Sequence, residues 1–209
     1  MKRSVFLWLV LIIVTITISV IYSVNKSSFN PNTKYSIGQS IDSINEVLVY
    51  YNGMVGHNEG RNIAPDGYNI GMKYQCVEFV KRYYYQYYHH KMPDSYGNAK
   101  DFYDSGIVDS SVNNKRGLRQ FSNGSVSKPM VGDLVVFDGH PGNIYGHVAI
   151  ICSVSDSSVC IIQQNPGPFA SSRAMMSLQL ADKKWTILDK RLLGWLRKDT
   201  VSQQTAIVN

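Results

Sequence analysis

The strongest pattern in the chain comes first. Residues 5–22 are apolar apart from Thr15, Thr17 and Ser19, and Lys2 and Arg3 precede them. At about 1.5 Å per residue such a run nearly spans a hydrocarbon core of about 30 Å. It shows no amphipathic periodicity, which argues against a core helix. The pattern predicts a transmembrane segment over residues 1–24. It is longer than a usual signal h-region and no A-x-A-like site follows, so it reads as a signal anchor, with a cleaved signal peptide as the alternative. The two leading charges place the N-terminus in the cytoplasm and the rest outside, in the periplasm or at the cell surface. A cleaved segment would make the protein secreted.

Beyond it, residues 25–36 are polar and read as a linker. In residues 41–51, Val47, Val49 and Tyr51 alternate as in a strand. Residues 52–71 hold many Gly, Asn and Pro and read as a long ordered loop. The clearest helix is predicted over residues 74–89. Cys76, Val80, Tyr83, Tyr84 and Tyr87 share its apolar face, and Glu78, Lys81, Arg82 and Gln86 its solvent face. A short helix is expected near Asn98, and residues 109–127 look polar and turn-rich. Strands follow at 133–137, 147–154 and 159–164, with further ones at 185–188 and 193–197. A helical first half packed on an antiparallel sheet is an α+β domain. Its expected extent is residues 37–200, with 201–209 as a tail.

Composition changes this picture little. The chain is 44% hydrophobic and 17% charged, which excludes extensive disorder. Setting aside Lys2, Arg3 and Lys26 around the first helix leaves 18 of the 21 basic residues against 15 acidic ones. That mild excess suits an anionic envelope but gives no reason to expect nucleic acid. Asp66 and Asn62 are too few to cage calcium, so neither metal nor cofactor is expected. The oligomeric state stays open. Cys152 and Cys160 flank a hairpin turn, and their spacing leaves open both a disulfide and two small buried side chains.

Cys76 begins the predicted helix, where free backbone N–H groups and the helix dipole favour a thiolate and can hold an oxyanion. His147 opens an apolar strand, facing with Ala149 and Ile151. A cysteine upstream makes it a candidate base. Gln163 and Asn165 share one face of the next strand. Either can accept a bond from the imidazole Nδ1–H and so aim Nε2 at the sulfur. Glu78 is expected to be a surface charge, and His89, His90 and Lys91 to close the helix.

The blocks YQCVEFVKRYYY (74–85), GDLVVF (132–137), YGHVAII (145–151) and IIQQN (161–165) occur in an order that resembles the CHAP family. These are the cysteine, histidine-dependent amidohydrolases/peptidases. The likeness extends over residues 37–198. The helix block is especially similar to the amidase domain of glutathionylspermidine synthetase/amidases. The resemblance implies a papain-like α+β domain with Cys76 as nucleophile, His147 as base and Asn165 as a site member. Gln163 stands where many members carry Glu. It also implies an amidase or endopeptidase, with peptidoglycan peptides the first expectation for an outward-facing domain and a glutathionylspermidine-type amide the second. A non-catalytic envelope-binding module is the third.

Overall fold

The apolar N-terminal run forms one helix, α1 (Arg3–Lys26), in the computed structural model, which describes residues 3–26 and 29–199. Of α1, the 4–23 stretch is long and apolar enough to cross a membrane. Two of its hydroxyls are satisfied within the helix, Thr15 Oγ1 on the Leu11 carbonyl at 2.9 Å and Thr17 Oγ1 on that of Ile13 at 2.8 Å. Neither hydroxyl therefore needs water. The expected tail, residues 201–209, lies outside the described residues, as does part of the expected linker.

The described part of that linker is tied down. Asn30 accepts a bond from the Tyr51 hydroxyl at 2.7 Å, and Asn32 Nδ2 donates to the Pro168 carbonyl at 2.8 Å. The polar composition that suggested a spacer supplies side-chain amides that anchor the segment instead.

Strands β1 (Ser40–Ile44) and β2 (Val47–Tyr50) form a hairpin that buries Val47 and Val49. The expected long loop contains a second small hairpin, β3 (Arg61–Ile63) and β4 (Asn69–Met72). Helix α2 (Cys76–Tyr87) follows, and the helix expected near Asn98 is a single 3₁₀ turn, Lys100–Phe102. The remaining strands are β5 (Ser111–Asn113), β6 (Leu118–Ser122), β7 (Leu134–Phe137), β8 (His147–Val154), β9 (Ser158–Ile162), β10 (Arg173–Ala181), β11 (Lys184–Ile187) and β12 (Leu192–Arg197). They build one antiparallel sheet in the order β11-β10-β9-β8-β7-β12-β6-β5. The region read as turn-rich thus holds β5 and β6. Leu118, Gln120 and Phe121 are buried there, a pattern too short and too polar to show in the sequence.

Alternation along the central strands builds two cores. Leu134, Val136, Val148, Ile150 and Ile162 meet Phe79, Val80, Tyr83 and Tyr84 of α2 on one side. Val135, Phe137, Ala149, Ile151, Ile161 and Trp195 pack on the other. The fold is mixed α/β with a large antiparallel sheet.

The predicted solvent face of α2 is not exposed. Glu78, Lys81 and Arg82 are buried at 2%, 1% and 5%. The helix is covered twice, by the sheet and by β2 with the β3–β4 hairpin. Gly71 on β4, with φ +142°, makes the close approach possible, since a Cβ there would sit 3.0 Å from the Glu78 Cα. Lys81 reaches the Asn69 and Ser95 carbonyls, and burial pulls its ammonium down to about 8. His89, left-handed at φ 49°, and the His90 N–H, which donates to the Tyr84 carbonyl at 3.0 Å, close α2 as expected. The His90 ring bonds the Arg116 carbonyl, and Lys91 pairs with Asp66 at 2.6 Å.

Candidate active site

Cys76 is the first residue of α2, after the extended Gln75. The thiol lies among three backbone N–H groups, those of Cys76 and Val77 at the helix start and that of Val148 on β8. β9 ends at Ile162, so its ladder stops short of the first residues of β8 and leaves an edge for the helix start. Burial raises the thiol above its ordinary value, and the three N–H groups pull it back. The helix start supplies the expected N–H groups, yet desolvation outweighs them and the thiol is raised instead of lowered.

His147 opens β8, next to Val148, opposite Phe137 in the ladder and with its ring 6.2 Å from the Phe137 ring. Its Nε2 lies 2.9 Å from Gln163 Oε1. The Gln163 amide cannot be turned around, since its Nε2 donates to the Ser171 carbonyl at 3.1 Å. Oε1 therefore accepts, Nε2 of His147 carries the proton, and Nδ1 keeps its lone pair. This reverses the nitrogen assignment expected from the sequence. Burial lowers the imidazole to about 4, against a raising effect from Gln163.

Asn165 is elsewhere. Its backbone is left-handed at φ 56°, and Nδ2 donates to Gln75 Oε1 at 2.7 Å and the Val55 carbonyl at 2.8 Å. Of the two expected orienting amides, only Gln163 reaches the imidazole. The left-handed turn takes Asn165 off the strand face that simple alternation assigned to it. Among the described residues no hydrogen bond joins Cys76 directly to His147; the thiol meets β8 one residue away.

Residues 67–165 match the CHAP domain, a span holding Cys76, His147, Gln163 and Asn165. The chain carries a CHAP domain.

Amide hydrolysis, as an amidase or peptidase, is the activity class that a CHAP domain implies. The chain is 31% identical over 133 residues to trypanothione synthetase of Crithidia fasciculata, covering 62% of this chain and 20% of that one. It is 36% identical over 107 residues to the bifunctional glutathionylspermidine synthetase/amidase of Escherichia coli K12, covering 50% of this chain and 17% of that one. The chain thus spans a fifth or less of the length of these relatives. Among solved structures, Ly7917 with the hydrolyzing product of MDP aligns over 45% of this chain and 39% of its own, at 20% identity and a TM-score of 0.28, too slight a likeness to argue from.

Beneath the start of α2 the CHAP domain holds a buried polar cluster that the sequence reading missed. Glu78 accepts from Arg82 Nε at 2.6 Å, Asn62 Nδ2 at 2.8 Å and Gln164 Nε2 at 2.8 Å. Glu78 is a structural acid inside the fold, not a surface charge. Its i,i+4 spacing to Arg82 signals the pair, but nothing in that spacing signals that a hairpin covers it. On the far stretch of β8 and β9, Cys152 and Cys160 adjoin as free thiols, and Cys152 is pushed up to about 12 by burial and by Cys160.

Proposed function

We propose that this protein is a membrane-anchored cysteine amide hydrolase of the cell envelope that cuts peptidoglycan peptides, with Cys76 as nucleophile and His147 as base. The observation that carries the chemistry is a thiol whose charge the N–H groups of Cys76, Val77 and Val148 favour, Val148 adjoining the histidine whose tautomer Gln163 fixes. In this reading the domain is papain-like and extends over residues 37–200, and α1 is the anchor.

The mechanism follows from the protonation states. Burial disfavours charge on either partner, so the resting site is a neutral thiol with a neutral imidazole. His147 takes the thiol proton on Nδ1 as the sulfur adds to the amide carbonyl. The backbone N–H groups at the helix start face the oxyanion. The imidazolium then gives its proton to the leaving amine as the C–N bond breaks. Water, deprotonated by the same nitrogen, adds to the thioester, and that proton returns to the Cys76 sulfur as the C–S bond breaks and the acid leaves. Gln163 orients the ring without adding charge, and Asn165 braces Gln75 beside the nucleophile.

A second reading, hydrolysis of a glutathionylspermidine-type amide, draws on the likeness to the glutathionylspermidine synthetase/amidase. Full-length protein in detergent micelles, incubated with purified sacculi and separately with glutathionylspermidine, separates the two when products are identified by mass. Peptide fragments from sacculi are expected, and Cys76→Ala should abolish them while the far-ultraviolet spectrum is kept. Release of spermidine with sacculi untouched would transfer the assignment to the small amide. Wild-type turnover in Cys76→Ala would remove Cys76 as nucleophile.

A further inference from the structure

Gln164 follows Gln163 but enters the opposite side of the strand end, and it is completely buried. Its amide is saturated. Oε1 accepts from the Tyr50 N–H at 2.7 Å and from Arg82 Nη2 at 3.3 Å. Nε2 donates to the Gln75 carbonyl at 3.0 Å and to Glu78 Oε2 at 2.8 Å. Gln75 is the residue before Cys76, and the same carbonyl receives the first helical bond from Phe79 at 3.2 Å. One side chain therefore joins the segment after β9, the edge of β2 and the start of α2.

We infer that Gln164 is a positioning residue, clamping the peptide that leads into Cys76 against the strand end from which Gln163 holds His147. This rests on the amide-hydrolase reading above. Space filling does not call for an amide here, since an apolar side chain of similar volume would do it. Four bonds of defined direction, two of them to charged groups, fix both distance and orientation. The thiol and the imidazole share no direct bond, so their relative placement has to come through the elements that carry them. Adjacent residues of one segment do this, Gln163 by way of the imidazole and Gln164 by way of the helix start.

The test compares wild type, Gln164→Met and Gln120→Met as full-length protein in detergent micelles, at a temperature where all are folded by circular dichroism. Gln120 is a matched control. It is 1% exposed, bonds Asp104 and Asn113, and lies on β6, with β7 and β12 between it and β8. Gln164→Met is expected to lower kcat about 100-fold with KM unchanged, the size of effect that a misplacement of about 1 Å produces. It should also shift the pH dependence of iodoacetamide labelling at Cys76, followed by peptide mass, toward that of an isolated thiol. Gln120→Met should lower Tm yet leave kcat and the labelling profile at wild-type values. Wild-type kcat and labelling in folded Gln164→Met would overturn the inference, as would equal losses in Gln120→Met. Should Gln164→Met fail to fold, Gln164→Asn, which keeps the amide one methylene short, is judged by the same criteria. A wild-type protein without Cys76-dependent turnover would count against the hydrolase reading instead, and the labelling profiles would still decide the role of Gln164.

Discussion

Burial holds His147 down to about 4 from its ordinary 6.5, and the shift acts on both turnover and stability. A base must be neutral to accept the thiol proton, so kcat/KM should fall as pH drops through about 4 rather than through 6.5. A pH–rate profile on sacculi checks this. Gln163→Glu sets a negative charge against Nε2 and should move that acidic limb to higher pH. For stability, the unfolded chain binds a proton on this histidine below 6.5 that the folded site refuses until about 4. The folded state therefore loses stability as pH falls through that window, and nothing changes above it. The loss at pH 4.5 relative to pH 7.5 should be about 2–3 kcal/mol greater in wild type than in His147→Gln, as read from urea unfolding at the two values. The placement of Cys76 at a helix start and of His147 at a strand start was legible in the sequence, because both are local features. Which amide serves the imidazole was not. Strand alternation puts Gln163 and Asn165 on one face, and only the left-handed backbone at Asn165 separates them.

The elements that carry the site meet at their ends, and small local constraints set the joints. Gly146, immediately before His147, has φ +79°. A Cβ there would strike the Phe137 carbonyl oxygen and come within 2.9 Å of the Lys100 Cβ. Gly146→Ala should cost more than about 1 kcal/mol from the left-handed backbone alone, and the clash adds to it. A lowered Tm with a lowered kcat is expected, since relief of the clash displaces the start of β8. A kcat kept at the wild-type value would mean that β8 yields there without moving His147. Helix α2 was legible in extent to within two residues at each end, yet its polar face was misassigned. The 3.6-residue period reports two faces and cannot report that β2 and the β3–β4 hairpin cover the second. That cover turns Glu78 and Arg82 from expected surface groups into a buried cluster with Gln164 under the nucleophile.

For the whole molecule the decisive contrast is between α1 and the rest. Every apolar side chain described along α1 is exposed, Trp8 at 65% and Ile13 at 63%, whereas the sheet encloses its own cores. Such a surface is stable in lipid and not in water. The full chain should sediment with membranes, resist high salt and carbonate, and enter solution with detergent. External protease on intact cells should digest the domain, and its survival there would reverse the proposed topology.

Features set by near neighbours can be read along the chain. Apolar length defines α1, the 3.6-residue period defines α2, alternation and β-branched runs define β7, β8 and β9, and four short blocks carry the CHAP likeness. Features that depend on partners distant in the chain emerge from the assembled fold. It placed Gln163 on His147 Nε2, turned Asn165 to Gln75, buried Glu78, and tied Gln164 to Tyr50, Gln75 and Arg82 across separations of 114, 89 and 82 residues. Hydrogen-bond direction and burial are properties of the assembled fold, and no periodicity along the chain encodes them.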